Sequence, residues 1–391
     1  LKLKKFTGVI HLWLGMIAGL VVVVSMTAAA IFVWEKELTD LYYEDYIFVQ
    51  VKKTPRLPLS RLITLAQNAI PDKPISWIDI KNDPGRAYIF SSYKENASPT
   101  GWTHWDDYFY WDQIYVDPYT GNVLGVVNML ADPIDLTRRL HQNLLLRYDI
   151  GHYIVGFATV FVMMLILTGL ILWWPKNRAS LKQRFTIKWS ARWRRVNYDI
   201  HNVGGFYTHL LVLLLAITGL VWTFDWWTNG IYRLLGDNPA SVFPVHERPE
   251  INSPFSNKPV DFVFADVITK RADWTSAGIY LPDLADKKAE ISVYLQFNSD
   301  SGWDEGDQYA YHPVTGKLFY QRLQQEKPLG AKWRNSNYAI HVGSIYGLPT
   351  KFLAMFGALF LASMPISGFL IWWGRKQKKR ATTGKKRQFV S

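Results

Sequence analysis

Four stretches of this chain, residues 6–34, 151–174, 200–226 and 348–373, are almost free of charge and long enough to cross a lipid bilayer. A hydrocarbon core of ~30 Å takes about 20 residues of helix. Inside it every backbone amide must find its partner within the segment, so isolated runs of this kind can only be helices. Four crossings put both ends on one side and the two long polar segments together on the other.

Charge assigns the sides. Lys2, Lys4 and Lys5 precede the first span. Lys176, Arg178, Lys182, Arg184, Lys188, Arg192, Arg194 and Arg195 fill the connection between the second and third, and Arg375, Lys376, Lys378, Lys379, Arg380, Lys385, Lys386 and Arg387 follow the fourth. These 19 cations stand without one Asp or Glu, whereas the remaining 25 cations face 32 acids. Cations gather in cytoplasmic loops, so both ends and the short connection are expected in the cytoplasm of a bacterial cell, with the long segments in the periplasm. The net charge of +12 therefore belongs with lipid head groups, and nucleic acid is not an expected partner. The first span carries a Lys-rich start and Thr27-Ala28-Ala29-Ala30, as a signal peptide would. Its apolar run exceeds the ~7–15 residues of such peptides, and it is expected to be a retained helix. With no cysteine in the chain, disulfides, thiolate metal sites and iron–sulfur clusters are excluded.

The second half of the chain repeats the first. IHLWLGMIAGL, with His11, begins the first span and reaches Thr27; IHNVGGFYTHL, with His201, begins the third and reaches Thr218-Gly219. LHQNLLLRYDIG, with His141, leads to Thr168-Gly169 and Trp173-Trp174, as IHVGSIYGLPTK, with His341, leads to Ser367-Gly368 and Trp372-Trp373. The offsets are 190, 200 and 199 for His11/His201, His141/His341 and Thr168/Ser367. In the polar segments Asp117-Pro118 and His312-Pro313 open matching x-Pro-x-Thr-Gly turns between alternating apolar residues, the pattern of a β-hairpin. Residues 59–70 and 260–271 each read as one amphipathic helix.

The expected fold is an α+β membrane protein, internally duplicated: a four-transmembrane-helix bundle with two periplasmic helix-plus-antiparallel-sheet domains. Its parts are a first span at 6–34, a periplasmic domain at 35–139, a second span with a periplasmic extension at 140–174 and a basic cytoplasmic loop at 175–197. The second repeat supplies a span at 198–227, a domain at 228–338, a span with its extension at 339–373 and a basic tail at 374–391. Trp173, Trp174, Trp372 and Trp373 at one face, and Trp34, Trp226 and Trp227 at the other, match interfacial belts. Thr-Gly and other Gly positions in the spans favour close helix packing.

The ordered set His11…Gly15, the x-Pro-x-Thr-Gly hairpin, Leu140-His141, Thr168-Gly169-Leu170 ending in Trp-Trp, Ile200-His201, Thr218-Gly219-Leu220 and His341-x-Gly343 resembles the PepSY-associated transmembrane family. The resemblance covers nearly the whole chain and implies iron-regulated inner-membrane proteins whose outer modules are PepSY domains. Its better-understood members look like ferric-siderophore reductases that use haem b to carry electrons across the membrane. It thereby implies a haem cofactor, a ferric siderophore as partner, and release of iron in the periplasm as Fe(II).

The residues offer ligands of their own accord. Ionisable groups in a span are costly and point to function, and six of the nine histidines lie in or beside spans: His11, His141, His152, His201, His209 and His341. Two imidazoles on facing helices are a common way for a bundle to hold haem iron. His11 and His201 begin helices that run outward and His141 and His341 begin helices that run inward, which gives one pair per face and two haems, bound non-covalently. Each ligand needs its other ring N–H bonded. His152 and His209 remain alternatives or additions, because haems at the extreme edges would lie about a core thickness of ~30 Å apart. His152 follows His141 by eleven residues, ~1,100° of helix rotation, so both are expected to face nearly the same way.

Trp102, His104, Trp105, Asp106 and Asp107 form a candidate docking face for a ferric chelate; the alternative is packed sheet or a bilayer interface. His246 and His312 are expected in solvent. No G-x-G-x-x-G unit, P-loop or hydrolase constellation occurs, and the cytoplasmic segments are too short for a flavin or nicotinamide domain. Electrons would come from quinol or a separate cytoplasmic donor. The competing readings are a siderophore permease and a non-catalytic sensor or assembly protein.

Overall fold

A computed structural model describes the chain except residues 1, 176, 178–180, 252–256, 283–287, 298–302 and 389–391, and except the side chains of 378–388. The basic positions Lys176, Arg178, Lys378, Lys379, Arg380, Lys385, Lys386 and Arg387 therefore lie, wholly or in their side chains, outside the described residues. The chain divides into a helical unit (Leu1–Val33, Thr137–Asp225 and Ile340–Ser391) and a sheet unit (Trp34–Leu136 and Trp226–Ala339).

In the helical unit, Lys2–Phe32, Tyr148–Trp173, Trp193–Trp222 and Leu348–Gln377 are long and apolar enough to cross a membrane. Each packs on the next in chain order, and the first also packs on the fourth. Lipid offers apolar side chains no reason to leave it, so association rests on close van der Waals packing of small residues. A Cβ on Gly19 would stand 3.2 Å from Pro365 of the fourth span, and one on Gly156 2.4 Å from Thr223. The waist is closed by Ala18, Val22, Ala158, Val162 and Val212, with Phe161 and Leu361 packed against them. Outward-facing Leu20 and Leu210 stay 77% and 68% exposed, a surface suited to acyl chains.

Three expectations change here. The third helix begins at Trp193 inside the basic connection and passes through a π-helical turn at Ile200–Gly204. The second and fourth spans are not extended backwards: His141 and His341 lie in the last turns of separate helices, Pro133–Asn143 and Leu329–His341. Left-handed residues break the chain after each, Leu144 and Leu145 (φ 59° and 57°) in one repeat and Gly343 (φ 75°) in the other. Such residues end helices, so the helical phase linking His141 to His152 is lost. Trp173 is no interfacial anchor either. It is buried, stacks on Phe206 with ring centroids 3.8 Å apart, and donates its Nε1–H to the Arg184 carbonyl at 3.0 Å.

The sheet unit contains β1 (Trp77–Lys81), β2 (Tyr88–Glu95), β3 (Tyr108–Val116), β4 (Val123–Asn128), β5 (Trp274–Tyr280), β6 (Ile291–Phe297), β7 (Glu305–Tyr311) and β8 (Leu318–Arg322). The two expected helix-plus-sheet domains are present, but as halves of one eight-stranded antiparallel sheet in the order β4-β3-β2-β1-β5-β6-β7-β8. β1 pairs with β5 from Trp77↔Tyr280 to Lys81↔Ser276. Alone, each half would leave one of these strands as an open edge; pairing closes both. Helices Leu59–Ala69 and Lys258–Thr269 lie side by side, with the Ser60 backbone N–H and hydroxyl donating to the Asp261 carboxylate at 2.8 and 2.5 Å. Leu62, Ile78, Ile80 and Phe90 share one core with Val263, Ala277, Ile279 and Leu295.

The repeated turns behave alike. Asp117 Oδ1 accepts the Tyr119 N–H at 2.8 Å, and His312 Nδ1 accepts the Val314 N–H at 3.2 Å. His312 and His246 are half-buried rather than free in solvent. The His246 Nε2 lies 2.7 Å from a Glu290 oxygen, and its ring stacks on Tyr320 at 4.0 Å.

Candidate functional site

Four span-associated histidines meet in two pairs within the helical unit. The His11 and His201 rings have centroids 6.3 Å apart at 85°, and those of His141 and His341 5.9 Å apart at 26°. Each pair takes one imidazole from each repeat. They occupy opposite ends of the bundle. His11 touches Thr168 near the end of the second span, and His141 touches Ser25 near the end of the first. His11 and Ser25 share one helix and are fourteen residues apart, about 21 Å at 1.5 Å per residue. The pairs are thus closer than a full hydrocarbon core.

The Nδ1 atom of every paired ring reaches a hydroxyl. His11 meets Thr168 at 2.9 Å, His201 meets Ser367 at 2.8 Å, His341 meets Thr218 at 2.9 Å and His141 meets Ser25 at 2.9 Å. These bonds join helices within a repeat, whereas the imidazole pairs join the two repeats. The tautomer follows from counting protons. The Thr168, Thr218 and Ser367 hydroxyls donate to the carbonyls of Met164, Leu214 and Met364 at 2.8, 2.8 and 3.0 Å, and Ser25 donates to the His141 carbonyl at 2.8 Å. With the hydroxyl protons directed to these carbonyls, each oxygen is free to accept from the ring and Nδ1 carries the hydrogen. In that tautomer Nε2 keeps its lone pair, the form in which imidazole binds a metal.

Glycine seats three of the rings. A Cβ on Gly169 would lie 3.4 Å from His11 Cε1, one on Gly368 3.3 Å from His201 Cε1, and one on Gly219 3.0 Å from His341 Cε1. In each Thr/Ser-Gly pair, the hydroxyl holds Nδ1 and the glycine leaves room for the ring. The sequence showed this repeated dipeptide, but as a packing device only. The fourth ring departs from the pattern. Its acceptor is Ser25, followed by Met26, while the expected counterpart Thr27 turns its hydroxyl to Val23.

The pairs suit an ion that brings its own equatorial ligands. An imidazole–metal bond is about 2 Å and the ring centre lies about 1 Å behind the nitrogen, so two rings across one ion have centroids roughly 6 Å apart. Both pairs match. Among the described residues no three or more His, Asp or Glu gather as a metal site, so neither pair supplies the ligand set of a bare ion. A haem iron needs only two axial ligands.

The other candidates are not brought together. His152 Nδ1 bonds the Tyr148 carbonyl of its own helix, with its ring stacked on Tyr148 at 4.5 Å. His209 Nδ1 bonds the Phe206 carbonyl, also on its own helix. His104 is fully buried against Trp105, with ring centroids 3.9 Å apart. The Asp106 carboxylate accepts from the Thr103 N–H and hydroxyl at 3.0 and 2.7 Å. Trp102 is 71% exposed, Trp105 donates its Nε1–H to the Leu130 carbonyl at 3.0 Å, and Asp107 is half-buried. This segment is a packed hairpin connection in which His104 offers nothing to solvent.

The sequence profile described as the PepSY-associated TM region matches residues 9–375, which includes all four paired histidines and their hydroxyl partners. No curated protein sequence matches the chain.

Proposed function

The chain belongs to the PepSY-associated transmembrane family, and from that premise we propose that it is a haem b-dependent reductase of the bacterial inner membrane. It takes electrons from a cytoplasmic donor or quinol at the His11/His201 end and delivers them to a periplasmic ferric siderophore at the His141/His341 end, releasing Fe(II). The carrying observation is the two imidazole pairs, with every Nδ1 held within 2.9 Å of a hydroxyl on another helix. Bound there, haem b supplies reversible one-electron transfer.

The chain's own residues do the rest. The hydroxyls of Ser25, Thr168, Thr218 and Ser367 fix tautomer and ring direction. Ala18, Val22, Ala158, Val162 and Val212 form a buried apolar cluster that offers an ion or a polar chelate no ligands, which favours electron passage over the permease reading. Reduction lowers the charge on iron and weakens its hold on hard oxygen ligands, so release needs no further chemistry from the protein.

A visible spectrum of the purified full chain tests the reading. Two low-spin bis-imidazole haems per chain are expected, and His11→Ala and His341→Ala should each remove one. Folded protein from haem-sufficient cells that carries no haem refutes it. In proteoliposomes with reductant inside, an external ferric chelate should be reduced, and either variant should abolish that.

A further inference from the structure

Two span histidines take no part in the pairs, and they differ in depth. His152 lies in the first two turns of the second span, Tyr148–Trp173, within reach of the membrane surface. His209 lies near the midpoint of the third, sixteen residues after Trp193 and thirteen before Trp222. A hydrocarbon core offers neither water nor head groups at that depth. The His209 ring is half-buried. Its Nδ1 meets the Phe206 carbonyl, which can only accept, so Nδ1 carries the hydrogen and Nε2 of the neutral ring holds a lone pair. Among the described residues no group donates to that nitrogen. An acceptor left so in lipid is costly.

The duplication does not require this histidine. At the offset of 190 that relates His11 to His201, His209 corresponds to Gly19. A Cβ on Gly19 would stand 3.2 Å from Pro365, so the seam between the first and fourth spans has no room for a side chain at this level. The matching seam, between the third and second spans, takes an imidazole instead. Phe206, one turn before His209, stacks on Trp173 of the second span, and its ring centroid is 5.4 Å from that of His209. Phe185 packs edge-on against Trp173 and Phe206 at 5.1 and 5.2 Å, and Tyr207, 62% exposed, donates its hydroxyl to the Phe185 carbonyl at 3.2 Å. These rings wall His209 on the side of the His11/His201 pair, while the adjacent Leu210 faces lipid.

We infer that His209 is the base of a quinol-oxidising site on the lipid face of the bundle, between the second and third spans. This rests on the haem reading above and selects quinol from its two donors. A quinol is a hydrogen-bond donor that the membrane itself carries at this depth: its ring stacks on aromatic faces, and its hydroxyl can donate to Nε2. His209 follows His201 by eight residues, no more than about 12 Å along the helix, so the quinol ring lies at the His11/His201 end. Oxidation breaks both quinol O–H bonds and yields the quinone, two protons and two electrons. The first proton passes to Nε2, and both end in water. The electrons leave singly through the His11/His201 end and reduce two Fe(III) chelates to Fe(II).

The test uses the full chain with its haems in lipid nanodiscs and follows their reduction by stopped-flow absorbance after mixing with a short-chain ubiquinol or menaquinol. The wild-type rate should saturate in quinol. His209→Leu, which removes the acceptor, should be slowed at least about 100-fold, the usual worth of a positioned base, while haem content and reduction by dithionite stay as in wild type. His209→Gln, which keeps an acceptor oxygen but takes up no proton, should hold KM near wild type and lose maximal rate. A wild-type chain that dithionite reduces but neither quinol does, or a His209→Leu chain as fast as wild type, overturns the inference and leaves the reductase reading intact. Loss of haem from either variant overturns it too, since His209 would then serve the haem site or the fold. A wild-type chain without haem would instead sink the reductase reading itself.

Discussion

Gly219→Ala asks most directly whether the Thr/Ser-Gly dipeptides are seats for imidazoles. The new methyl carbon would stand 3.0 Å from His341 Cε1, where carbons in contact prefer about 3.5–4.0 Å. The ring must therefore recede by roughly half an ångström. It is poorly placed to do so, because its Nδ1 is tied at 2.9 Å to the hydroxyl of Thr218, the adjacent residue, and Trp222 packs edge-on at 5.3 Å. Overpacking of this kind costs about 1–3 kcal/mol. If that strain falls on the bound state, affinity at the His141/His341 pair drops roughly 5- to 150-fold at 1.4 kcal/mol per decade. Gly368→Ala and Gly169→Ala, with contacts of 3.3 and 3.4 Å, need only tenths of an ångström and should lose well under tenfold. The assay is transfer of haem from each purified variant to excess apomyoglobin, with circular dichroism to show that the helices persist. Gly219→Ala should lose one haem fastest, followed by Gly368→Ala and then Gly169→Ala. Equal retention by all three, in a protein from which His341→Ala removes one haem, would refute the seating argument.

Other outcomes follow from single contacts. Thr218→Val keeps the shape but removes the acceptor for His341 Nδ1–H, and loss of such an outer partner typically costs 10- to 100-fold in metal affinity; haem titration into apoprotein reads it, and wild-type affinity would show that the hydroxyl does not orient the ring. Gly343→Ala forces a methyl group 2.3 Å from the Thr350 carbonyl oxygen at φ 75°, so a loss of at least ~1–3 kcal/mol is expected, seen as a lowered melting temperature. In the sheet unit, burial pushes the Lys327 ammonium down from 10.5 to about 8. Between those values the unfolded chain holds more protons than the folded one, so this group's contribution to stability rises with pH across about 8 to 10.5. Below about 8 the full cost of burying the charge is present. Lys327→Met should lack that slope, so the wild-type-minus-variant stability should rise between pH 8 and 10.5, and a difference that stays flat would contradict the assignment.

Much of the architecture was legible because it follows from local chemistry. Charge-free runs of the required length must be helices in lipid, and the repeated x-Pro-x-Thr-Gly sequence makes the same turn twice whatever surrounds it. The histidine pairs were legible for a different reason: duplication places equivalent residues at equivalent depths, so His11 with His201 and His141 with His341 were the natural partners. The reading failed where the outcome depends on distant segments. Pairing of β1 with β5 joins residues almost two hundred positions apart, and no local pattern distinguishes two separate sheets from one fused sheet. His152 loses its helical phase with His141 because Leu144 and Leu145 take left-handed conformations that their side chains do not announce.

The sequence by itself determined four spans, a duplicated plan and four histidines at two depths. Only the tertiary structure decided what each imidazole does with its two nitrogens. That choice depends on which hydroxyl of a neighbouring span lies within 3 Å and where that hydroxyl's own proton goes. A proton shared between helices is a property of their packing, which is why Thr-Gly reads as spacing in the chain and as a ligand seat in the fold.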